Sequence, residues 1–89
     1  MKDLDDWKEE GRSFLLLDVR EDFERAAHHI GGIHIPMSEL VGRQSEIPKD
    51  IPVVVYCKKG IRSTIVIQRL SDSGFQNLYN LQGGLSGSF

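Results

Sequence analysis

Two stretches of this chain are apolar at every position, and they limit the folds open to it. Residues 14–17 are Phe-Leu-Leu-Leu and run into Asp18; residues 53–56 are Val-Val-Val-Tyr and run from Pro52 into Cys57. A strand that alternates apolar and polar residues can face water on one side, whereas a strand apolar throughout is covered on both faces. Such strands belong to parallel sheets packed between helices. The intervening segments fit that arrangement. Residues 21–28 are polar with Phe23, Ala26 and Ala27 set among them, and read as a short helix. Gly31 and Gly32 break the chain, and residues 33–35 read as a brief strand closed by Pro36. Residues 38–44 read as a second short helix, with Ser38 as its N-cap and Leu40 and Val41 facing inward. Residues 62–73 carry Ile65, Val66, Ile67 and Leu70, an apolar stripe at helical period. Gly74 is the stop for that helix, and Phe75 packs back on its last turn. Residues 77–81 read as a further strand, and Leu4, Trp7 and Lys8 before Gly11 suggest an opening helix anchored by Trp7. The resulting alternation predicts an α/β fold, a small parallel β-sheet flanked by helices.

With 89 residues the chain holds one domain, residues 1–89, with a thin core. Eleven basic and 13 acidic residues give a net charge of -2, which argues against nucleic acid as a partner. No apolar run approaches the ~18 residues needed to span a membrane. The polar, acidic start has no apolar core of the kind that directs secretion, and a lone cysteine cannot form an internal disulfide. Together they point to a reducing, cytoplasmic setting. His28, His29 and His34 form no four-ligand metal set, since adjacent histidines diverge on a helix. The glycine pairs lack the Lys-Ser/Thr that follows in a nucleotide-binding loop. Arg20 and Glu24, spaced i, i+4, read as a helix-face pair.

Cys57 stands where a central parallel strand stops and a helix begins, the end of the sheet at which open α/β folds bind ligands. Lys58, Lys59, Gly60, Ile61, Arg62 and Ser63 follow it. A thiol becomes a nucleophile near neutral pH when a helix N-terminus and cationic neighbours lower its pKa. Gly60 lets the backbone turn over the sulfur, so that successive N–H groups point inward as an anion nest. Ser63 or Thr64 is placed to cap the helix. A buried structural cysteine beside solvated lysines is the plainer alternative.

The segment CKKGIRSTIVIQRLSDSGFQNLYNLQGG closely resembles the active-site loop, helix and following strand of rhodanese-like domains. LLLDVREDFERAAHHIGGIHIP resembles the first strand of the same family and its Asp-Val-Arg-Glu signature. The resemblance implies a sulfurtransferase in which Cys57 carries a sulfane sulfur as a persulfide. The loop from Lys58 to Ser63 would cradle that sulfur and the anionic donor, and Asp18 and Arg20 would support the loop. The partners implied are a small anionic sulfur donor and a thiol, cyanide or carrier-protein acceptor. No metal or organic cofactor is required, because the thiolate carries the sulfur itself.

Two departures from the family pattern stand out. The stretch between Gly32 and Pro36 is one residue shorter than usual, which could reshape the loop or shift the short strand. The glycine pair Gly83-Gly84 is not followed three residues on by the usual aromatic residue, so the expectation is a last helix truncated or absent, or a domain cut from a longer protein. Similar domains occur fused to adenylating enzymes of cofactor biosynthesis. Two other functions stay open: a non-catalytic binding module, and a cysteine phosphatase or arsenate reductase. Phosphatase relatives of this fold place one residue more between cysteine and arginine than the four positions 58–61 here. A tighter nest suits a single sulfur atom better than a tetrahedral phosphate.

Overall fold

A computed structural model describes residues 14–81 and 84–86. The expected opening helix and Gly83 lie outside the described residues. Four strands form one sheet: β1 (Leu15–Asp18), β2 (Ile33–His34), β3 (Val53–Tyr56) and β4 (Leu78–Asn80). Their order across the sheet is β2-β1-β3-β4, and every neighbouring pair is parallel. Between them run the helices α1 (Asp22–Ala27), α2 (Leu40–Arg43) and α3 (Ile61–Asp72). Short 3₁₀ turns flank α2 on both sides, and another spans Gly84–Ser86.

The two all-apolar runs are the two central strands. Along β3 every residue is buried, and alternate side chains serve opposite faces. Val53 and Val55 join Leu17, Val19, Ile35, Val66, Leu70 and Phe75 in the larger core. Val54 and Tyr56 join Leu81 in the smaller one, with Leu16 and Ile30 against it. β1 and β3 run in step over four residues, from Leu15 opposite Val53 to Asp18 opposite Tyr56. Asp18 and Cys57 therefore reach the same edge of the sheet.

Several local expectations shift. Ser38 caps nothing. It sits inside the turn Met37–Glu39, because Pro36, with its fixed φ, leads the chain into that turn first. Leu40 is buried but Val41 is 77% exposed: a helix of four residues turns only one narrow face to the core. In α3 the core takes Val66 and Leu70, together with Ser63, whereas Ile65 stands partly in water. The helix stops as its sequence suggests, with Phe75 buried and its N–H bonded to the Leu70 carbonyl at 3.1 Å. The short stretch after Gly32 leaves β2 in the sheet, where Leu17 pairs with Ile33 and Asp18 with His34. Ile35 N–H then bonds the Asp18 carbonyl at 2.9 Å, and its side chain is fully buried. Among the described residues no helix is long and apolar enough to cross a membrane.

Candidate active site

Cys57 is the first residue beyond β3, and its side chain is buried. The chain then turns through Gly60, whose φ of 90° is open to glycine at little cost and strained for other residues. That turn brings the start of α3 back over the sulfur. Gly60 N–H donates to Sγ at 3.0 Å and Ser63 N–H at 3.4 Å, with the Ser63 hydroxyl oxygen 3.5 Å away. The first N–H groups of a helix have no partner within it. Here the cysteine sulfur takes one of them, in place of the Ser63 or Thr64 side chain expected from sequence. Thr64 Oγ1 instead donates backward to the Gly60 carbonyl at 2.7 Å, and Ser63 Oγ bonds Asn80 Oδ1 at 2.5 Å.

These contacts set the acidity of the thiol. Burial pushes the Cys57 thiol up, but hydrogen bonding by Ser63 through side chain and backbone, and by the Gly60 and Lys59 N–H groups, outweighs it. The net direction is down, toward the thiolate. Hydrogen bonds from the Ser63 hydroxyl first, and then from the backbone N–H groups of the loop, therefore favour the anion, ahead of the lysine charges that stood out in the sequence. The side chains of Lys58, Lys59 and Ile61 are exposed around the buried sulfur.

Arg62 is held rather than open. Its Nη2 donates to Glu24 Oε2 at 2.8 Å, and Nη1 lies 2.6 Å from Oε1, so the guanidinium grips α1 with both arms. Arg62 holds Glu24 down to about 2, with burial acting against it. The pairing in turn moves Arg62 upward, and charge on Cys57 adds to that rise. The expected Arg20–Glu24 pair does not form, because Arg20 precedes α1 and turns toward Asp18 instead. Glu24 also accepts the Glu21 N–H at 3.1 Å, as half of a capping box that starts the helix.

Asp18 and Arg20 form a separate buried unit. Arg20 Nε donates to Asp18 Oδ1 at 2.9 Å and Nη2 to Oδ2 at 3.0 Å. Burial raises the Asp18 carboxyl, and its hydrogen bonds from Arg20 bring it below its usual range. Arg20 also donates to the His28 carbonyl, and Arg25 reaches both Asp18, at 3.4 Å, and the Gly32 carbonyl, at 2.9 Å. The bonds of this unit thus run to α1 and the segment after it. It also meets the residue that leads into the cysteine loop: the Arg20 guanidinium lies 5.6 Å from the centre of the Tyr56 ring, and Val19 N–H donates to the Tyr56 carbonyl at 3.2 Å. His34 Nε2 lies 2.7 Å from the Arg20 carbonyl, and His29 Nδ1 accepts the Gly31 N–H at 3.0 Å; both have structural partners. Among the described residues no cluster of three or more His, Cys, Asp or Glu is placed to hold a metal.

On the other side of the loop, Leu85 N–H donates to the Cys57 carbonyl at 3.0 Å. A Cβ on Gly84 would stand 2.4 Å from that carbonyl oxygen, so only glycine allows the approach. The turn at Gly84 thus presses on the peptide of Cys57. Two site residues were missed, Glu24 and Asn80. Glu24 left no local signal, being 38 residues from its partner. Asn80 left one: a polar residue at the carboxyl end of the strand next to β3, where ligands of such sheets gather.

A family model for the rhodanese-like domain matches residues 1–88. The chain belongs to the rhodanese-like domain family. Thiosulfate sulfurtransferase GlpE of Coxiella burnetii is 36% identical to it over 74 residues, covering 82% of this chain and 69% of that protein. Uncharacterized protein YqhL of Bacillus subtilis is 42% identical over 74 residues. The chain spans 59% of that relative's length. A crystal structure of a rhodanese-related protein from Thermoplasma volcanium superposes with a TM-score of 0.81 at 34% identity, covering 92% of this chain and 82% of that one. The parallel four-stranded sheet with its helices is the fold shared with such rhodanese-like neighbours.

Proposed function

We propose that this rhodanese-like domain is a sulfurtransferase that carries sulfane sulfur on Cys57. One observation carries the reading: a buried sulfur that accepts N–H groups from the first turn of a helix, in a chain similar to a thiosulfate sulfurtransferase. A thiolate so placed attacks the outer sulfur of thiosulfate. The new S–S bond forms as the old one breaks, and sulfite leaves with the bonding pair. A nucleophilic acceptor then attacks the outer sulfur of the persulfide and restores the thiolate. The N–H groups of the loop favour negative charge at this point in both half-reactions. Lys58 and Lys59 are the exposed charges that draw an anionic donor toward the loop. Arg62 holds the loop against α1. The four residues between Cys57 and Arg62, one fewer than in phosphatase relatives of the fold, count against phosphatase chemistry.

The test is an intact-mass spectrum after incubation with thiosulfate and again after cyanide. The chain has one cysteine, so any sulfur adduct reports on Cys57. We expect a gain of one sulfur atom that cyanide removes with release of thiocyanate, and no gain in Cys57→Ser. A folded protein that takes no sulfur from thiosulfate or from a persulfide donor would refute the reading in favour of a binding module.

A further inference from the structure

Asn80 contacts the same Ser63 hydroxyl that lies beside the sulfur, and the chemistry above makes no use of it. Its amide orientation follows from its neighbours. Thr64 Oγ1 is 2.7 Å from the Gly60 carbonyl, which can only accept, so the Thr64 proton is committed there. The Asn80 atom 3.1 Å from Thr64 Oγ1 must therefore be a donor, the Nδ2 amide. Oδ1 then faces Ser63, and an amide oxygen only accepts. The 2.5 Å contact between Ser63 Oγ and Asn80 Oδ1 contains the serine proton.

That assignment has a consequence for the sulfur 3.5 Å from the same hydroxyl. A serine has one proton to donate. While it points at Asn80, Ser63 Oγ turns a lone pair toward Cys57, and the neutral thiol is the donor between them. We propose that Asn80 is a positioning residue that holds the Ser63 hydroxyl proton away from Cys57 until the thiolate forms. On ionisation the thiol proton passes to a solvent base. The Ser63 O–H turns from Asn80 Oδ1 to the anionic sulfur, where a charge-assisted bond is the stronger one. Asn80 sits at an exposed position on β4, so its released oxygen takes a water. Asn80 and the sulfur thus compete for one proton, and the competition sets how readily the resting thiol becomes a nucleophile. The proposal rests on Cys57 being the reactive group of the preceding section.

The rate of alkylation of Cys57 by iodoacetamide, followed against pH, reads thiol ionisation directly. Asn80→Ala removes the competing acceptor, and we expect the thiol pKa to fall by about 0.5–1 unit, the size of one neutral hydrogen bond. Asn80→Asp keeps the shape but holds the hydroxyl proton more firmly and adds like charge, so the pKa rises. A general loosening of the loop would move both variants the same way. In a Ser63→Ala background, Asn80→Ala should change nothing further. An unchanged or raised pKa in Asn80→Ala overturns the proposal, as does an equal shift with and without Ser63. The readout needs no sulfur transfer: a domain that failed the thiosulfate test but showed these shifts would refute the proposed function and leave the proton competition standing.

Discussion

Two arginine–glutamate clusters in this domain look alike and do different things. Arg43 binds Glu46 with two arms, at 2.8 and 3.0 Å, and reaches Glu39 at 3.0 Å. Arg62 binds Glu24 alone. By contacts the first is richer, yet all three of its residues lie on one exposed helical stretch, three and four positions apart. Such pairs are screened by water and restrain side chains that were neighbours already. The Arg62–Glu24 pair joins residues 38 positions apart, in a place where Glu24 keeps 16% of its exposure. It fixes α1 to the first turn of α3 and so bears on the position of the cysteine loop. What an ion pair connects, and how dry it is, matters more than how many bonds it has.

The deepest of these units should break first. Asp18→Asn leaves Arg20, 5% exposed, without its charge partner. We expect a loss of about 3–5 kcal/mol in urea unfolding, the usual result of stranding one member of a buried pair. A loss below about 1 kcal/mol would make Asp18 no more important than a surface carboxylate. Glu24→Gln comes next, at about 1–2 kcal/mol for a charge-assisted pair that is partly wet. Its signature is pH dependence. Glu24 is held at about 2 in the folded protein, below its unfolded range, so the stabilisation is complete above about pH 5. It fades as pH falls toward about 2, and the gap between wild type and variant should close over that interval. A gap independent of pH would mean that packing, and not charge, holds α1 to α3. Arg43→Ala should leave the unfolding midpoint where it is, with or without added salt. A clear drop would show that the exposed cluster shapes α2 after all.

The same contrast explains what could be read from the sequence. The buried strands, the helix after Cys57 and the loop itself were legible because each is written in adjacent residues. An all-apolar Val53–Tyr56 run has few solutions, and a cysteine followed by lysines, a glycine and an arginine marks one kind of loop. Long-range pairings were not legible. Spacing offered Glu24 to Arg20, four positions away, and nothing local says that Arg20, just ahead of the helix, folds back onto Asp18 instead. Likewise a short apolar pair such as Leu40-Val41 does not say which member faces the core until the helix axis is set by its neighbours. Asn80 required the register of β3 with β4, which places it opposite Val55, two residues before the cysteine.

Gly84 and Leu85 meet the Cys57 peptide from a point in the chain beyond all four strands. The peptide of Cys57 is therefore held from two directions along the chain, by the strand that leads into it and by a turn that follows the last strand, and a bulkier residue at position 84 would be felt at the cysteine.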